Sequence, residues 1–403
     1  MNGLLAVFRG EFRRIFSLQP AFAVLVLASA IYAAFYPQPY LNEALRRVPI
    51  AIVDRDGTAS SRELAHRVDA TPDVAVAIVL PDLPSAEWEV FARDIYGILL
   101  IPKDFERELL HGRPSPVALY ADAGYFLIYQ RISGGVSAVA RTFGAEVETA
   151  RLISIGVDPA LAVAATDPMP LTAEPLFNPQ GGYATYVLPA AFILILQQTL
   201  LIGVGLLGTS PGANSGPDAA ASSAAPLATV LGKTLAYLAL EALILPLYLI
   251  ALPYLYGVPR LGSVAAILTL ALPFVLSVSG LGLVVAATFR GPLMIQLVFA
   301  AIGLPFFFLA GFAWPSEAIP EAIRFVSILV PSTSAIDGLV RVAQLGAPLS
   351  DVRNQFLTLW GLAAFYGCIA VMLEIRKRQR GWPAGSRQRT DRTENATSRA
   401  TLP

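Results

Sequence analysis

Long apolar runs separated by polar stretches dominate the sequence. Six runs carry at most two charged side chains each, at 20–36, 183–207, 227–256, 261–289, 293–312 and 356–373. An α-helix rises about 1.5 Å per residue, so about 20 apolar residues cross the roughly 30 Å hydrocarbon core of a bilayer. The pattern therefore predicts a polytopic α-helical membrane protein with six transmembrane helices, the first at 20–36 and five more within 183–375.

The stretch before the first run predicts an amphipathic helix over 1–19. Its arginines lie largely away from one helical face, which collects Leu4, Leu5, Phe8, Phe12, Ile15 and Phe16. This arrangement is typical of a helix that lies in the membrane interface. A cleaved signal peptide is the alternative for 1–36, but Glu11 and the bulky apolar positions favour a retained anchor.

The polar insert at 37–182 has the rhythm of an α/β domain. Short β-branched runs at 48–53, 74–80, 96–101 and 117–121 alternate with helical patterns at 61–70, 86–94 and 103–110. Such alternation predicts strands joined by crossover helices. Ser60 and Glu63 have the spacing of a capping box. The turn Asp54–Gly57 is expected to be an ordinary turn, because no further acids follow at the spacing of a calcium loop.

The segment 314–332, between the last two predicted spans, is unusual. Trp314 and Pro315 mark an interface, Pro320 and Pro331 bracket a short piece, and that piece carries the apolar residues Ile319, Ile323, Phe325 and Ile328. The pattern predicts a re-entrant or interfacial segment, whose backbone must be packed by protein or face water. A plain loop on the same side of the membrane is the alternative.

The distribution of basic residues predicts the orientation of the chain. One side of the predicted membrane receives Arg9, Arg13, Arg14, Lys233, Arg290, Arg376, Lys377, Arg378 and Arg380, and the other receives Arg260, Arg324, Arg341 and Arg353. Since lysine and arginine near span ends favour the cytoplasm, both termini are expected there and the insert outside. The tail at 376–403 is poor in apolar residues, which predicts cytoplasmic disorder.

Composition excludes several classes of function. The chain is 55% hydrophobic with a mean hydropathy of +0.60, its formal net charge is zero, and it has one cysteine and two histidines. Without a basic face, nucleic acid is not expected as a partner. Without a Cys or His cluster, a zinc site is not expected either.

Two sets of short motifs carry a resemblance to a known family. One follows the fifth predicted span and comprises Gly311, Phe312, Pro315, Ile319, Pro320, Pro331 and Ser332. The other lies in the insert and comprises, in order, Val53-Asp54-x-Asp56, Ser60-Ser61-Arg62-Glu63-Leu64, Gly97 to Glu106, Gly112, Tyr120-x-Asp122 and Leu176-Phe177-Asn178-Pro179. Together they resemble the permease subunits of type-2 ABC exporters, in the multidrug and sodium export branch with a large extracytoplasmic domain.

This resemblance implies a function and a set of partners. The chain would be a permease in the bacterial cell inner membrane, exporting drug-like, lipid or other amphipathic compounds. Two ABC ATPase subunits, a second permease copy or a paralogue, and a possible periplasmic adaptor protein would assemble with it. A membrane-anchored sensor or scaffold with a ligand-binding periplasmic domain is the alternative.

The chain is not expected to be an enzyme. Gly232-Lys233-Thr234 looks like the end of a phosphate-binding loop, but that motif requires a glycine at position 227, where this chain has leucine. We therefore expect no catalytic residue, no bound cofactor and no metal, with ATP used by a partner subunit.

Polar residues inside the spans are candidates for the translocation path or a subunit interface. They are Glu241, Gln197, Gln198 and Gln296. A carboxylate at the centre of a span costs about 2.5–3.5 kcal/mol, so such a residue is usually paired or lines an aqueous path. The alternative for Glu241 is a shallow residue that reaches water or bonds Gln197 or Gln198. Gln296 is expected to act mainly in helix packing.

Two further groups of candidates follow from the resemblance. Residues of the segment after the fifth span are a candidate periplasmic gate, at Gly311, Phe312, Pro315, Pro320 and Pro331. Many members of the family carry a charged stretch against the ATPase, and the linker at 209–226 has nothing like it. The N-terminal helix then becomes the candidate ATPase contact, through Phe8, Arg9, Phe12 and Arg13.

Overall fold

The computed structural model describes residues 2–42, 44–171, 175–178, 181–210, 224–289 and 291–380. Two compact units divide the chain: Met1–Leu41 with Tyr183–Pro403, here called the membrane unit, and Asn42–Gly182, the insert domain. The predicted linker at 209–226 and the predicted tail at 376–403 lie outside the described residues over 211–223 and 381–403.

Two helices open the membrane unit. Helix α1 (Asn2–Ser17) is followed by the first membrane helix, α2 (Gln19–Tyr40), which contains a π-helical turn at Ala23–Ala28 just after Pro20. Val7, Glu11 and Ile15 are buried on α1. Because residues four apart share a face of an α-helix, these three form the stripe by which α1 packs on the bundle.

The insert domain is built on a four-stranded sheet. Its strands are β1 (Val48–Asp54), β2 (Val74–Leu80), β3 (Gly97–Ile101) and β4 (Ala118–Ala121), in the order β2-β1-β3-β4. The first three are parallel, and β4 runs antiparallel to β3, with Ile98 opposite Tyr120. The central strand β1 is buried on both faces, which explains why it is a continuous apolar run.

Five helices accompany the sheet: α3 (Ala59–Asp69), α4 (Leu83–Ala92), α5 (Phe105–Leu110), α6 (Phe126–Ser154) and α7 (Pro159–Thr166). One core lies on the α3 and α6 side and includes Ile52, Leu99 and Ile132. A second lies on the α4 side and includes Val53 and Ala86. The sheet is thus covered by helices on both faces, as its parallel strands require.

The turn after β1 is held by its own carboxylates. Oδ1 of Asp54 accepts the backbone N–H groups of Asp56 (2.9 Å) and Gly57 (3.0 Å), which is the geometry of an Asx turn. The Asp56 carboxylate in turn accepts the N–H groups of Phe105 (3.0 Å) and Glu106 (3.1 Å) at the start of α5. Among the described residues, no three His, Cys, Asp or Glu side chains are grouped so that they could hold a metal ion.

The predicted capping box at Ser60 is wrong. Helix α3 begins at Ala59, and its N-cap is Thr58, whose hydroxyl accepts the N–H of Ser61. Ser60 is therefore already inside the first turn, and Glu63 pairs with Arg67 one turn further on, at 2.7 Å.

Five more membrane helices follow the insert. They are α8 (Tyr183–Thr209), α9 (Pro226–Leu255), α10 (Val264–Thr288), α11 (Pro292–Leu309) and, after α12 (Glu321–Ser327) and α13 (Pro331–Ala343), α14 (Arg353–Arg380). Together with α2, six described helices are long and apolar enough to cross a membrane. The predicted fold class, six transmembrane helices with an α/β domain between the first two, is confirmed.

Helix α8 is the centre of the membrane unit and α11 lies at its surface. Each helix contains an apolar stretch of 18 residues, of which 83% are buried in α8 and 11% in α11. The two helices are antiparallel, because Gly205 faces Ile295 while Tyr186, near the other end of α8, donates to the carbonyl of Phe312. Helix α11 thus ends where α8 begins, at the end of the unit that connects to the insert, here called the insert end.

Candidate functional site

A hairpin of two helices returns into the membrane unit from the insert end. Helices α12 and α13 are bent by 85° at Ile328–Val330. The segment leaves α11 at the insert end, reaches the level of Gln197 in the middle of α8, and comes back to the level of Thr185. The segment predicted at 314–332 therefore contains only the inward half, and α13 is the outward half.

The tip of this hairpin is hydrogen-bonded to α8. The backbone N–H of Ser332 donates to Oε1 of Gln197 at 2.8 Å, and both residues are fully buried. Pro331 occupies the first turn of α13 and has no N–H, while the N-cap residue Val330 offers no side-chain cap. Gln197 thus satisfies an N–H group that the helix cannot satisfy internally.

Two further contacts fix the hairpin. At the far end of α13, Nε2 of Gln344 donates to the carbonyl of Thr185 at 2.6 Å. At the tip, the hydroxyl of Tyr366, in the middle of α14, donates to the carbonyl of Leu329 at 2.7 Å. The tip backbone is therefore tied to two membrane helices.

Of the other predicted path residues, Gln198 and Glu241 lie in the middle of their helices, whereas Gln296 lies near the start of α11. Nε2 of Gln198 donates to the carbonyl of Phe299 on α11 at 3.2 Å. Glu241 is 2% exposed, in the middle of α9, and its Oε2 has no hydrogen-bond partner among the described residues. The predicted alternative partner, Gln197, instead accepts the N–H of Ser332 with its side-chain oxygen. Gln296 is exposed on the outer surface of α11.

Among the described residues, most buried side-chain atoms without partners belong to the membrane helices and the hairpin tip. Within the described residues, five of them lie in the middle of membrane helices or at the hairpin tip: Gln197 Nε2, Gln198 Oε1, Glu241 Oε2, Ser279 Oγ and Ser332 Oγ. We call these five residues the polar layer. A buried polar group left unsatisfied costs about 1–3 kcal/mol. The layer therefore holds hydrogen-bonding capacity for water, for a transported molecule or for another state of the bundle.

The predicted gate residues mark the bends of the hairpin and do not form one cluster. Gly311 has a φ of 82°, a left-handed conformation that suits glycine, and it ends α11. The ring of Phe312 packs edge-to-face on Phe307, with centroids 4.9 Å apart. Pro315 and Pro320 precede short helices, and Pro331 begins α13 at the tip.

The predicted ATPase-contact residues fall on two faces of α1. Phe8 and Phe12 are half-buried. The ring of Phe12 contacts the rings of Phe8 and Phe16, with centroid distances of 6.0 Å and 5.4 Å respectively. Arg9 and Arg13 are exposed on another face. Neither arginine has an ion pair within the described residues, so that face offers two free positive charges.

Sequence reasoning missed Glu11 and Tyr237, which meet inside the membrane unit. The signal was present in the helical spacing, because Glu11 is four residues from both Val7 and Ile15. A carboxylate on a packed stripe indicates a buried partner.

Six helices that could cross a membrane, with a re-entrant hairpin between the last two, are the architecture of a polytopic membrane protein. The family model described as ABC-2 family transporter protein matches residues 14–372, and the chain belongs to this family. The predicted resemblance is thereby confirmed.

Two bacterial relatives resemble the chain over most of its length. The linearmycin resistance permease protein LnrN of Bacillus subtilis (strain 168) is 23% identical over 380 residues, covering 90% of this chain and 97% of the relative. The probable multidrug ABC transporter permease YbhS of Escherichia coli (strain K12) is 23% identical over 331 residues, covering 81% and 84%. The chain is thus an ABC exporter permease that works with ATPase subunits and has no ATPase domain of its own, as predicted.

Proposed function

We propose that the chain pairs with a second copy or a paralogue to form the path by which two ATPase subunits export amphipathic compounds from the cytoplasm. The observation that carries this proposal is the re-entrant hairpin whose tip meets the polar layer. Irregular backbone at membrane depth is tolerated where it is packed by protein or lines an aqueous cavity. A hairpin open to the insert end and sealed at the membrane centre suits a path that releases its cargo there.

The chemistry of the polar layer supports an amphipathic substrate. The five residues offer a few hydrogen-bonding atoms within an otherwise apolar bundle. That combination suits molecules with a large apolar body and few polar groups, such as drug-like compounds and lipids. The names of the two relatives, one a linearmycin resistance permease and the other a probable multidrug permease, point in the same direction.

The surface of α11 supports pairing with a second permease. Five large apolar side chains are exposed along it: Leu293, Met294, Leu297, Leu304 and Phe308. Gln296 lies among them, and an amide facing hydrocarbon is stabilised when a neighbouring helix offers it a hydrogen bond. We place Gln296 at the seam between the two permease subunits.

We place both termini in the cytoplasm of a bacterium and the insert domain outside its inner membrane, as the lysine and arginine distribution favours. The ATPase subunits then face Arg9 and Arg13. On the insert domain, Trp88 and Phe91 are 72% and 73% exposed and their rings stand 6.0 Å apart. Exposed aromatic pairs are enriched at interfaces, so we propose this pair as the contact for a periplasmic adaptor.

The proposed mechanism is a population shift. ATP binding to the partner subunits favours one of two states of the permease pair, and the substrate follows the change in accessibility. The chain itself contributes the path and the coupling surfaces, and the partner subunits supply ATP hydrolysis.

The test is transport by the reconstituted complex. Inside-out vesicles containing the permease and its ATPase subunits are given a panel of fluorescent amphipathic dyes, with ATP or a non-hydrolysable analogue. We expect at least one dye to accumulate with ATP only. A complex that binds and hydrolyses ATP but accumulates none of the dyes would overturn the substrate class, and a permease that binds no ATPase subunit would overturn the function.

A further inference from the structure

Glu11 is buried between helix α1 and the membrane helices. Its residue is 4% exposed, on the same stripe as Val7 and Ile15. Oε1 accepts the hydroxyl of Tyr237, in α9, at 2.6 Å, and Oε2 accepts Nη1 of Arg14 at 2.9 Å. Each carboxylate oxygen therefore has a donor, and one of the two donors comes from a membrane helix.

Arg14 extends this contact to a third helix. Its Nη2 donates to the backbone carbonyl of Leu207 at 2.8 Å. Leu207 lies in the last turn of α8, where carbonyl groups have no partner within their own helix. Glu11 and Arg14 thus tie α1 to both α8 and α9 by directed hydrogen bonds. We call Glu11, Arg14, Leu207 and Tyr237 the α1 junction.

The backbones of α1 and α9 also approach closely beside the junction. A Cβ atom added to Gly232 would lie 2.9 Å from the carbonyl oxygen of Leu4 and 2.9 Å from Cβ of Val7. The seam between α1 and α9 is therefore tightly packed where Gly232 meets Leu4 and Val7. Sliding of one helix along the other would create a clash at one end and break a buried hydrogen bond at the other.

We propose that the α1 junction transmits movement of helix α1 to α8 and α9, with Glu11 and Tyr237 as its positioning residues. This inference rests on the proposed function, in which the ATPase subunits face Arg9 and Arg13 on the exposed side of the same turns. Helix α8 carries the junction at Leu207 and the hairpin at Gln197. The junction is then the first link between the ATPase face and the hairpin.

An apolar contact at Glu11 would hold the helices together without fixing their register. A carboxylate with two donors in fixed directions allows one alignment of α1 against its neighbours, because any other alignment leaves a buried charge unpaired. The observed geometry therefore suits transmission of force along a defined direction.

The decisive variants are Tyr237→Phe and the matched control Tyr248→Phe. Both tyrosines are fully buried, and each donates one hydroxyl hydrogen bond of 2.6 Å. Tyr237 donates to Glu11 on α1, whereas Tyr248 donates to the backbone of Ser29 in α2 and does not touch the junction. Each substitution removes one buried hydroxyl hydrogen bond. Tyr237→Phe removes the bond from α9 to α1, and Tyr248→Phe removes the bond from α9 to α2.

The experiment uses the full chain with its ATPase subunits in proteoliposomes, and measures ATPase binding and permease-dependent ATP hydrolysis separately. For Tyr237→Phe we expect unchanged binding, with the permease-dependent change in hydrolysis reduced by about fivefold or more, the lower end of usual coupling between sites. Tyr248→Phe is expected to behave as wild type. Glu11→Gln keeps an acceptor for Tyr237 but weakens the hold on Arg14, so its loss should be intermediate.

The outcomes separate the two proposals. Normal coupling in both Tyr237→Phe and Glu11→Gln would overturn the junction, and so would an equal loss in Tyr248→Phe, since that would reflect general weakening of the bundle. If Tyr237→Phe does not assemble, Glu11→Gln against Tyr248→Phe gives the same decision. A wild-type permease that neither binds the ATPase subunits nor alters their hydrolysis would overturn the proposed function, and the junction with it.

Discussion

The side chain of Gln197 accepts the backbone N–H of Ser332 at 2.8 Å, across 135 positions of sequence. This bond joins the middle of the most buried membrane helix to the tip of the re-entrant hairpin. Its acceptor is a side chain and its donor is backbone, so the two partners can be tested separately.

Replacing Gln197 by leucine should weaken the hairpin tip. The N–H of Ser332 then loses its acceptor in a buried site, which costs about 1–3 kcal/mol, and removal of the unpartnered Nε2 of Gln197 offsets part of that loss. We expect a net fall in the free energy of unfolding. Thermal unfolding of the purified protein in detergent measures the change.

Ser332→Ala is the matched control for this bond. It removes the unpartnered Oγ but leaves the backbone N–H bonded to Gln197. We expect unchanged or slightly raised stability, because an unsatisfied buried group is lost. Equal destabilisation by Ser332→Ala and Gln197→Leu would contradict the assignment.

Replacing Glu241 by leucine should change the stability of the protein and its transport activity in opposite directions. Glu241→Leu removes a buried oxygen without a partner, so we expect the unfolding free energy to rise by about 1–3 kcal/mol. Export of amphipathic dye by Glu241→Leu should fall, because the polar layer loses its one acidic residue. Glu241→Gln keeps a polar side chain there and should export more dye than Glu241→Leu. Melting curves and vesicle transport of the same preparations check both. A destabilised leucine variant would mean that the carboxyl has a partner in the working protein.

The seam between α1 and α9 should not tolerate a methyl group at Gly232. In Gly232→Ala the new Cβ meets the Leu4 carbonyl oxygen at 2.9 Å, and backbone cannot move away as a flexible side chain can. We expect a loss of about 1–3 kcal/mol in unfolding free energy, typical of overpacking.

Gly10→Ala on α1 is the control for the seam. Nothing lies within 4 Å of a Cβ at Gly10, and the position is inside the helix. Alanine there should stabilise the protein by about 0.5–1 kcal/mol, through its better helix propensity. Thermal melts of both variants measure the difference, and a Gly232→Ala variant as stable as Gly10→Ala would refute the close approach of α1 and α9.

Acid should loosen the start of α5 in the insert domain. Hydrogen bonds, first from the backbone of Ser60, lower the pKa of Glu106. Although desolvation opposes the shift, the hydroxyl of Thr58 and the N–H groups of Glu106 and Phe105 lower the pKa of Asp56. Lowered pKa values mean that this stabilisation is present above the ordinary values near 4 and is lost as pH falls through the folded-state values.

Amide hydrogen exchange of Phe105 and Glu106, corrected for intrinsic rates, measures this effect in the full chain. We expect protection to fall as pH drops below about 4, where the carboxylates take up protons. Asp56→Asn should reduce protection at neutral pH and flatten the pH dependence. Protection that is equal in Asp56→Asn and wild type at every pH would rule out the carboxylate as the cap of α5.

The elements that depend on local pattern could be predicted from the sequence. The strand at Val74–Leu80 has the predicted bounds, and α8 starts at the predicted Tyr183. Hydrophobic periodicity and span length determine such elements within a few residues of sequence. The outward half of the hairpin was not predicted, because its hydrophobic pattern is shorter than a span and its place depends on contacts with α8.

The sequence predicted the polar residues of the candidate site but not their hydrogen-bond partners. Gln197 and Glu241 were evident as polar positions in apolar runs. The partner of Gln197 is a backbone N–H, and Glu11 and Tyr237 are 226 positions apart. No single-sequence pattern encodes such pairings. The absence of a cap before Pro331 was the one local sign that α13 needs an external acceptor.

Helix α13 is fastened to α8 at both ends, by Gln197 at the tip and by Gln344 near Thr185. It must therefore travel with α8 as a single body, and any swing of the hairpin has to be absorbed outside those two bonds. Gly311 and Gly346, which flank the segment, both have left-handed φ values, 82° and 70°. A side chain at either position would strain the backbone, and at Gly346 its Cβ would also lie 3.1 Å from Cβ of Leu261. Substitution of either glycine would therefore restrict the bends through which the whole segment is attached.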